Sequence, residues 1–346
     1  MKLKPASAAA DGISIGDTIR RALAAAGLGT TVTPPLADND RGPRPSARSV
    51  PGEFVERSYS NAAGVRRYKL YVPKNCPEGR RPLLVMLHGC TQNPDDFAAG
   101  TRMNELAEQH GFLVAYPAQA ANANVSQCWN WFNAGDQVRD LGEPSLLAGI
   151  TREVASSYCV DTQRIFVAGL SAGAAMAVIL GATYPDLFAA VGAHSGLPYG
   201  AAADMPSAFA AMRGGSGGGI WGAGLKSPSS STRVGSTRGP STIVFHGDHD
   251  TTVHADNGDR IVAEALTRTG VQTAGLKRSV QRQSSAGGRQ STITTYRDAA
   301  LRPRVEYWVV HGAGHAWSGG SPAGSFIDAS GPDASAEMAR FFLAQA

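Results

Sequence analysis

Ser171 sits in Gly169-Leu170-Ser171-Ala172-Gly173, between the apolar run Arg164-Ile165-Phe166-Val167-Ala168 and a helix-like run over 174–180. A serine hydroxyl attacks a carbonyl when a base takes its proton and backbone donors receive the developing oxyanion. Glycines two residues to either side suit a sharp turn from strand into helix, which lifts the hydroxyl clear of a sheet. A second match to the pattern, Gly214-Gly215-Ser216-Gly217-Gly218, has no apolar strand before it and no helix after it, and reads as loop. Ser171 is the candidate nucleophile and Ser216 a decoy.

The base and its orienting carboxylate follow in the order Ser, Asp, His. Ile243-Val244-Phe245-His246-Gly247-Asp248-His249-Asp250-Thr251-Thr252-Val253 supplies two carboxylates. A strand ending in His-Gly and followed by Asp-x-x-Val favours Asp250 as the acid, leaving Asp248 to shape the loop. Tyr307-Trp308-Val309-Val310-His311-Gly312-Ala313-Gly314-His315-Ala316-Trp317 offers two histidines. His315 is preferred, because His311 directly continues the strand and Gly312 and Gly314 let the loop fold back toward Ser171. The expected oxyanion donors are the backbone N–H of Ala172 and that of Cys90, in Leu87-His88-Gly89-Cys90-Thr91-Gln92. Gly89 would permit the turn there.

These residues need a sheet to carry them. The pattern predicts strands at 67–72, 83–87, 112–116, 165–168, 188–193, 242–245, 293–296 and 305–310. It predicts helices at 95–110, 144–158, 172–184, 256–269 and 333–343. Such alternation implies an α/β fold, a mostly parallel sheet with helices on both faces. Residues 1–52 read as a flexible extension, with a possible short helix within 17–26, and 53–346 as the catalytic domain. Residues 200–240 read as a loop insertion.

The formal charge is +4, and residues 1–50 hold seven Lys/Arg against four Asp, so +3 of it lies there. A nearly neutral body argues against a nucleic-acid partner. Residues 268–304 carry eight Lys/Arg against Asp298 alone, read as a solvated face and loop. No apolar stretch is long enough for a transmembrane helix, so no membrane partner is expected. The N-terminus makes a poor signal peptide, which favours a cytoplasmic location unless a leader has been removed. The four cysteines have no metal-ligand spacing, so no metal is expected.

Leu87-His88-Gly89-Cys90-Thr91-Gln92, Cys128-Trp129-Asn130-Trp131-Phe132, Val167–Gly173 and Gly314-His315-Ala316-Trp317-Ser318-Gly319-Gly320 together resemble the poly(3-hydroxybutyrate) depolymerase-like esterases. These are α/β-hydrolases related to feruloyl and acetylxylan esterases. The resemblance runs from about residue 53 to 343. It implies an α/β-hydrolase fold and carboxylic-ester hydrolysis through an acyl-enzyme, without cofactor. It carries the triad roles onto Ser171, Asp250 and His315, and the oxyanion roles onto Cys90 and Ala172. Trp129, Trp131 and Trp317 are expected to line an apolar site for an ester substrate that can be polymeric. The resemblance also sets Cys90 and Cys128 beside the site, where a disulfide would fix the donor loop, and leaves Cys76 and Cys159 unpaired. The basic 268–304 run supports an alternative, amide hydrolysis of an anionic polymer such as poly(aspartate). A binding protein on a dead hydrolase fold would have lost a triad candidate, and none is missing.

Overall fold

The computed structural model describes residues 51–74, 79–214, 239–270 and 275–345. Six strands form the parallel centre of one sheet: β3 (Arg81–Leu87), β4 (Leu113–Pro117), β5 (Val160–Leu170), β6 (Ala190–His194), β7 (Ser241–Gly247) and β10 (Pro303–Val310). They lie in the order β4-β3-β5-β6-β7-β10. Their near-continuous apolar character follows from helices covering both faces. Successive residues serve opposite cores: Val85 and Leu87 belong to one hydrophobic cluster, Leu84 and Met86 to the other.

The first cluster is roofed by α3 (Gly142–Ser157), α4 (Ala172–Thr183), α5 (Met205–Met212) and α6 (Asp256–Arg268). The second is covered by α1 (Pro94–Thr101), α2 (Met103–His110) and α7 (Ala334–Leu343). Antiparallel hairpins complete the ten strands. One is β1 (Glu53–Asn61) with β2 (Gly64–Val72), joined to β4; the other is β8 (Lys277–Ser284) with β9 (Gln290–Arg297), joined to β10. A small parallel pair, β11 (Trp317–Ser318) and β12 (Ile327–Asp328), follows the last long strand. This is the α/β-hydrolase arrangement that the motifs imply.

The structure differs from the sequence pattern in four places. The expected helix over 95–110 is two helices, because Arg102 adopts a left-handed conformation (φ 57°) and its amide closes α1 on the Ala98 carbonyl. Within the supposed loop at 200–240, Asp204 and Ser207 form a capping box that starts α5. The sequence pattern does not mark strand β1, since none of its residues is buried, most are exposed, and they lack an apolar alternation. The basic 268–304 run is also not simply loop: β8 is an edge strand with nearly every side chain exposed, so no hydrophobic period marks it. Lys277, Arg278 and Arg282 on that edge suit a strand that must not pair with another chain. The possible helix within 17–26, Ser216 and Cys76 lie outside the described residues.

Candidate active site

Consecutive parallel strands present their C-terminal ends at one edge, and α/β sheets place chemistry there. Ser171 follows β5, Asp250 follows β7 and His315 follows β10. Leu170 pairs with His194, His194 with Phe245, and Phe245 with Trp308, so the loops after β5, β6, β7 and β10 emerge side by side.

Ser171 turns the chain at φ 57°, ψ −120°, a region that L-residues rarely occupy. Its N–H donates to the His194 carbonyl (2.9 Å), and its own carbonyl accepts from Ala175 in the first turn of α4. The flanking glycines are not the residues with positive φ. They are needed because the elbow rides against β3: a Cβ on Gly173 would lie 2.1 Å from the Leu87 carbonyl oxygen, and one on Gly169 2.7 Å from it. The serine carries the strain, and the glycines supply the clearance.

His315 Nδ1 donates to Asp250 Oδ2 at 2.7 Å, with both side chains buried. The other Asp250 oxygen accepts from the amides of Thr252 and Val253, both at 2.9 Å. Burial pushes the Asp250 carboxyl up, but His315, His246 and the Val253 amide outweigh that and hold it below the ordinary carboxylate range. Asp250 is thus an anion fixed by two backbone donors, and the hydrogen bond leaves His315 Nε2 as the ring's acceptor. Asp248 and His311 form a separate surface pair at 2.8 Å, with Asp248 also accepting from the Gly312 amide. The two loops are stitched by His249 N–H to the Ala313 carbonyl and Asp248 N–H to the Val310 carbonyl.

The donor loop after β3 has its amides accounted for one by one. Gly89 N–H donates to Gln92 Oε1, Thr91 N–H to the Ser126 carbonyl, and Gln92 N–H to the Gly89 carbonyl. Cys90 N–H has no such partner among the described residues and is the one available to an oxyanion. Ala172 N–H, at the first position of α4, has no intrahelical acceptor, and the helix dipole adds favourable potential there. Cys90 is disulfide-bonded to Cys128, while Cys159 is free and exposed.

The three tryptophans of the motifs are buried. Trp129 and Trp317 have no exposed surface and Trp131 keeps 3%. The Trp129 indole N–H donates to the His88 carbonyl and that of Trp317 to Ser335 Oγ, so both rings are drawn inward by hydrogen-bond partners in the core. Neither Trp129 nor Trp317 presents more than a trace of surface in this structure.

Two buried histidines that the sequence reading passed over support the same loops. His194 is held down to about 3, by burial and then by His246 and His315, and its neutral Nε2 accepts the Ser318 amide at 3.0 Å. His88 is lowered to about 4 by burial, and its Nε2 accepts the Gln119 amide at 3.1 Å. Glu143, buried, takes Gln119, the Asn130 amide, the Asn130 side chain and Arg66. It anchors the loop that carries Cys128. His194 and Glu143 stand outside the quoted motifs, and His88, though inside one, has no spacing that marks this supporting role.

The family description "Esterase PHB depolymerase" matches residues 66–285. Poly(3-hydroxyalkanoate) depolymerase C of Paucimonas lemoignei is 32% identical over 266 residues, covering 74% of this chain and 59% of that protein. Poly(3-hydroxybutyrate) depolymerase of Ralstonia pickettii is 31% identical, covering 71% of this chain and 50% of the relative. The chain therefore spans about half to three-fifths of the length of these two relatives. Among solved structures, an acetyl xylan esterase from Aspergillus awamori superposes with a TM-score of 0.60 at 21% identity, over 75% of this chain and 94% of the other. That likeness establishes the fold. On the family match and these relatives, the chain belongs to the PHB depolymerase family of esterases.

Proposed function

We propose that the chain is a serine carboxylic-ester hydrolase that works through an acyl-enzyme on hydroxyalkanoate oligomers, polyester or related small esters. The observation that carries this is the buried Asp250–His315 hydrogen bond at the sheet edge where Ser171 stands on its strained elbow. His315 Nε2 takes the Ser171 proton as Oγ attacks the ester carbonyl, and Asp250 stabilises the imidazolium that forms. The Cys90 and Ala172 amides receive the oxyanion. Collapse expels the alcohol with the proton from His315, and water repeats the sequence to release the acid. Two relatives that are polyhydroxyalkanoate depolymerases support this substrate class. Trp131, with its small exposed remnant, is the tryptophan we keep as a substrate contact. Residues 53–346 are read as the catalytic unit.

The test is a substrate panel: p-nitrophenyl butyrate, 3-hydroxybutyrate oligomers, acetylated xylooligosaccharides and poly(aspartate). Esters should be cleaved, with hydroxybutyrate oligomers ahead of the sugar esters. Rates should stay nearly flat from 0.1 to 1 M salt, although screening shortens the Debye length from about 10 to about 3 Å. A salt-sensitive cleavage of poly(aspartate) exceeding ester cleavage would replace this reading with the amidase one.

The two Asp–His pairs give a second test. Asp250→Asn and His315→Ala should each lower kcat by about 10³-fold or more, as expected for members of a triad. Asp248→Asn and His311→Ala should cost less than about tenfold, since that pair only tethers the loops. The reverse ranking would move the acid and base to the surface pair.

A further inference from the structure

Gln92 lies two residues after the oxyanion donor and is 1% exposed. Its amide spends both ends on different parts of the site. Oε1 accepts the Gly89 N–H at 2.9 Å, within the loop that presents Cys90. Nε2 donates to Asp96 Oδ2 at 2.8 Å, in the first turn of α1, and to the Ser325 carbonyl at 3.1 Å. Asp96 in turn accepts from the Ser325 amide (2.9 Å) and the Ser325 hydroxyl (2.5 Å).

Ser325 belongs to the segment that follows His315, and that segment is fused to α1. The Ser321 amide donates to the Gly100 carbonyl at 2.7 Å, and a Cβ on Gly320 would approach the same oxygen to 2.3 Å. Asn93 caps α1 by accepting the Asp95 and Asp96 amides, which fixes where Asp96 points. Gln92 therefore joins three elements: the donor loop, the start of α1 and the chain beyond the base.

The donor loop needs such a tether. Thr91 sits at φ 66°, a conformation with little intrinsic preference, so the loop does not hold its shape unaided. Without Gln92 Oε1, the Gly89 amide would lose its acceptor, and the next peptide, Gly89–Cys90, which carries the Cys90 N–H, would be held only through its carbonyl, by His88 Nδ1 and the Gln92 amide. Oxyanion donors act only when held to within a few tenths of an ångström of where the charge develops.

We infer that Gln92 is a positioning residue for transition-state stabilisation: it locks the Cys90 N–H by clamping the donor loop to Asp96 and Ser325. This rests on the esterase reading above.

The test uses the full chain with p-nitrophenyl butyrate, and butylboronic acid as a probe that forms a tetrahedral adduct with a serine hydroxyl. Gln92→Ala should lower kcat by about 10- to 100-fold, short of the full loss of a donor, with KM within about twofold. Boronate affinity should fall by a similar factor. Gln92→Glu retains an acceptor for Gly89 but sets a carboxylate against Asp96 and the Ser325 carbonyl. Its kcat relative to the unsubstituted chain should therefore recover as pH falls from 8 to 6 and the facing carboxylates share a proton. Adding Asp96→Asn, which supplies an N–H donor toward the new carboxylate, should restore at least half of the lost kcat at both pH values.

A merely structural role would shift the thermal midpoint while leaving the pH profile and the boronate affinity of the folded fraction unchanged, and that result overturns the proposal. So would kcat within twofold in every variant. If Gln92→Ala does not fold, the pH profile of Gln92→Glu and its rescue by Asp96→Asn decide alone. An unsubstituted chain without esterase activity, or one that keeps it in Ser171→Ala, defeats the esterase reading. Ser171-dependent activity untouched by the Gln92 variants defeats only the clamp.

Discussion

In Ser171→Ala, hydrolysis of p-nitrophenyl butyrate should fall by about 10⁴-fold or more, leaving only the acceleration that the proposed oxyanion donors and binding provide. The reason is local. Only the nucleophilic oxygen leaves, while the Ser171 amide keeps its bond to the His194 carbonyl and α4 keeps its first turn. Stability should change little, because alanine retains the Cβ and therefore the strain of φ 57°, ψ −120°. Ser171→Gly should be equally inactive yet more stable, by about 1–3 kcal/mol if the elbow strain is fully relieved. Urea midpoints of the two variants measure that difference. Near-normal turnover in Ser171→Ala, or its loss in Ser216→Ala with Ser171 intact, would remove Ser171 from the chemistry.

That contrast also shows what a sequence can and cannot carry about such a site. Ser171, Asp250 and His315 stand out as candidates in the sequence because each closely follows an apolar run with a glycine between or beside them. The preference for Asp250 over Asp248 rested on Asp-x-x-Val, and the structure supplies its physical content. The spacing lets one carboxylate oxygen take the amides of Thr252 and Val253, leaving the other for His315. The elbow glycines were legible as necessary but for a different reason, since clearance from Leu87 is a contact across strands that local turn chemistry does not reveal.

Side-chain direction was the harder problem. Trp129, Trp131 and Trp317 lie in or beside the candidate motifs, but composition does not say which side of a loop an indole faces, and all three pack in the hydrophobic clusters. The hairpin strands β1 and β8 escaped because strands exposed to water carry no hydrophobic period. Gln92 was visible inside a motif, yet its partner Ser325 lies 233 residues away, and no local pattern records that pairing.

Reducing the Cys90–Cys128 disulfide should cost both stability and turnover, and the two losses have separate origins. The bond closes a separation of 38 residues. In the chain-entropy model, releasing a loop of that length destabilises by about 3–4 kcal/mol. A catalytic loss is expected because Cys90 is the proposed oxyanion donor, and its loop is tied to the 118–131 segment by the disulfide and by Thr91 N–H to the Ser126 carbonyl. Glu143 fixes that segment through Asn130 and Gln119, so the anchor itself survives reduction. What is freed is the donor loop, and a further fall of about tenfold in kcat is expected, less than the loss of a whole donor. Urea midpoints and kcat with and without dithiothreitol, repeated for Cys128→Ser, make the measurement. Cys159→Ser is the control, since that thiol is exposed and unpaired. If the reduced chain keeps its midpoint, the bond does not constrain the unfolded chain as proposed. If it loses stability but keeps kcat, the remaining Thr91–Ser126 and Gln92 tethers are enough to hold Cys90 in place.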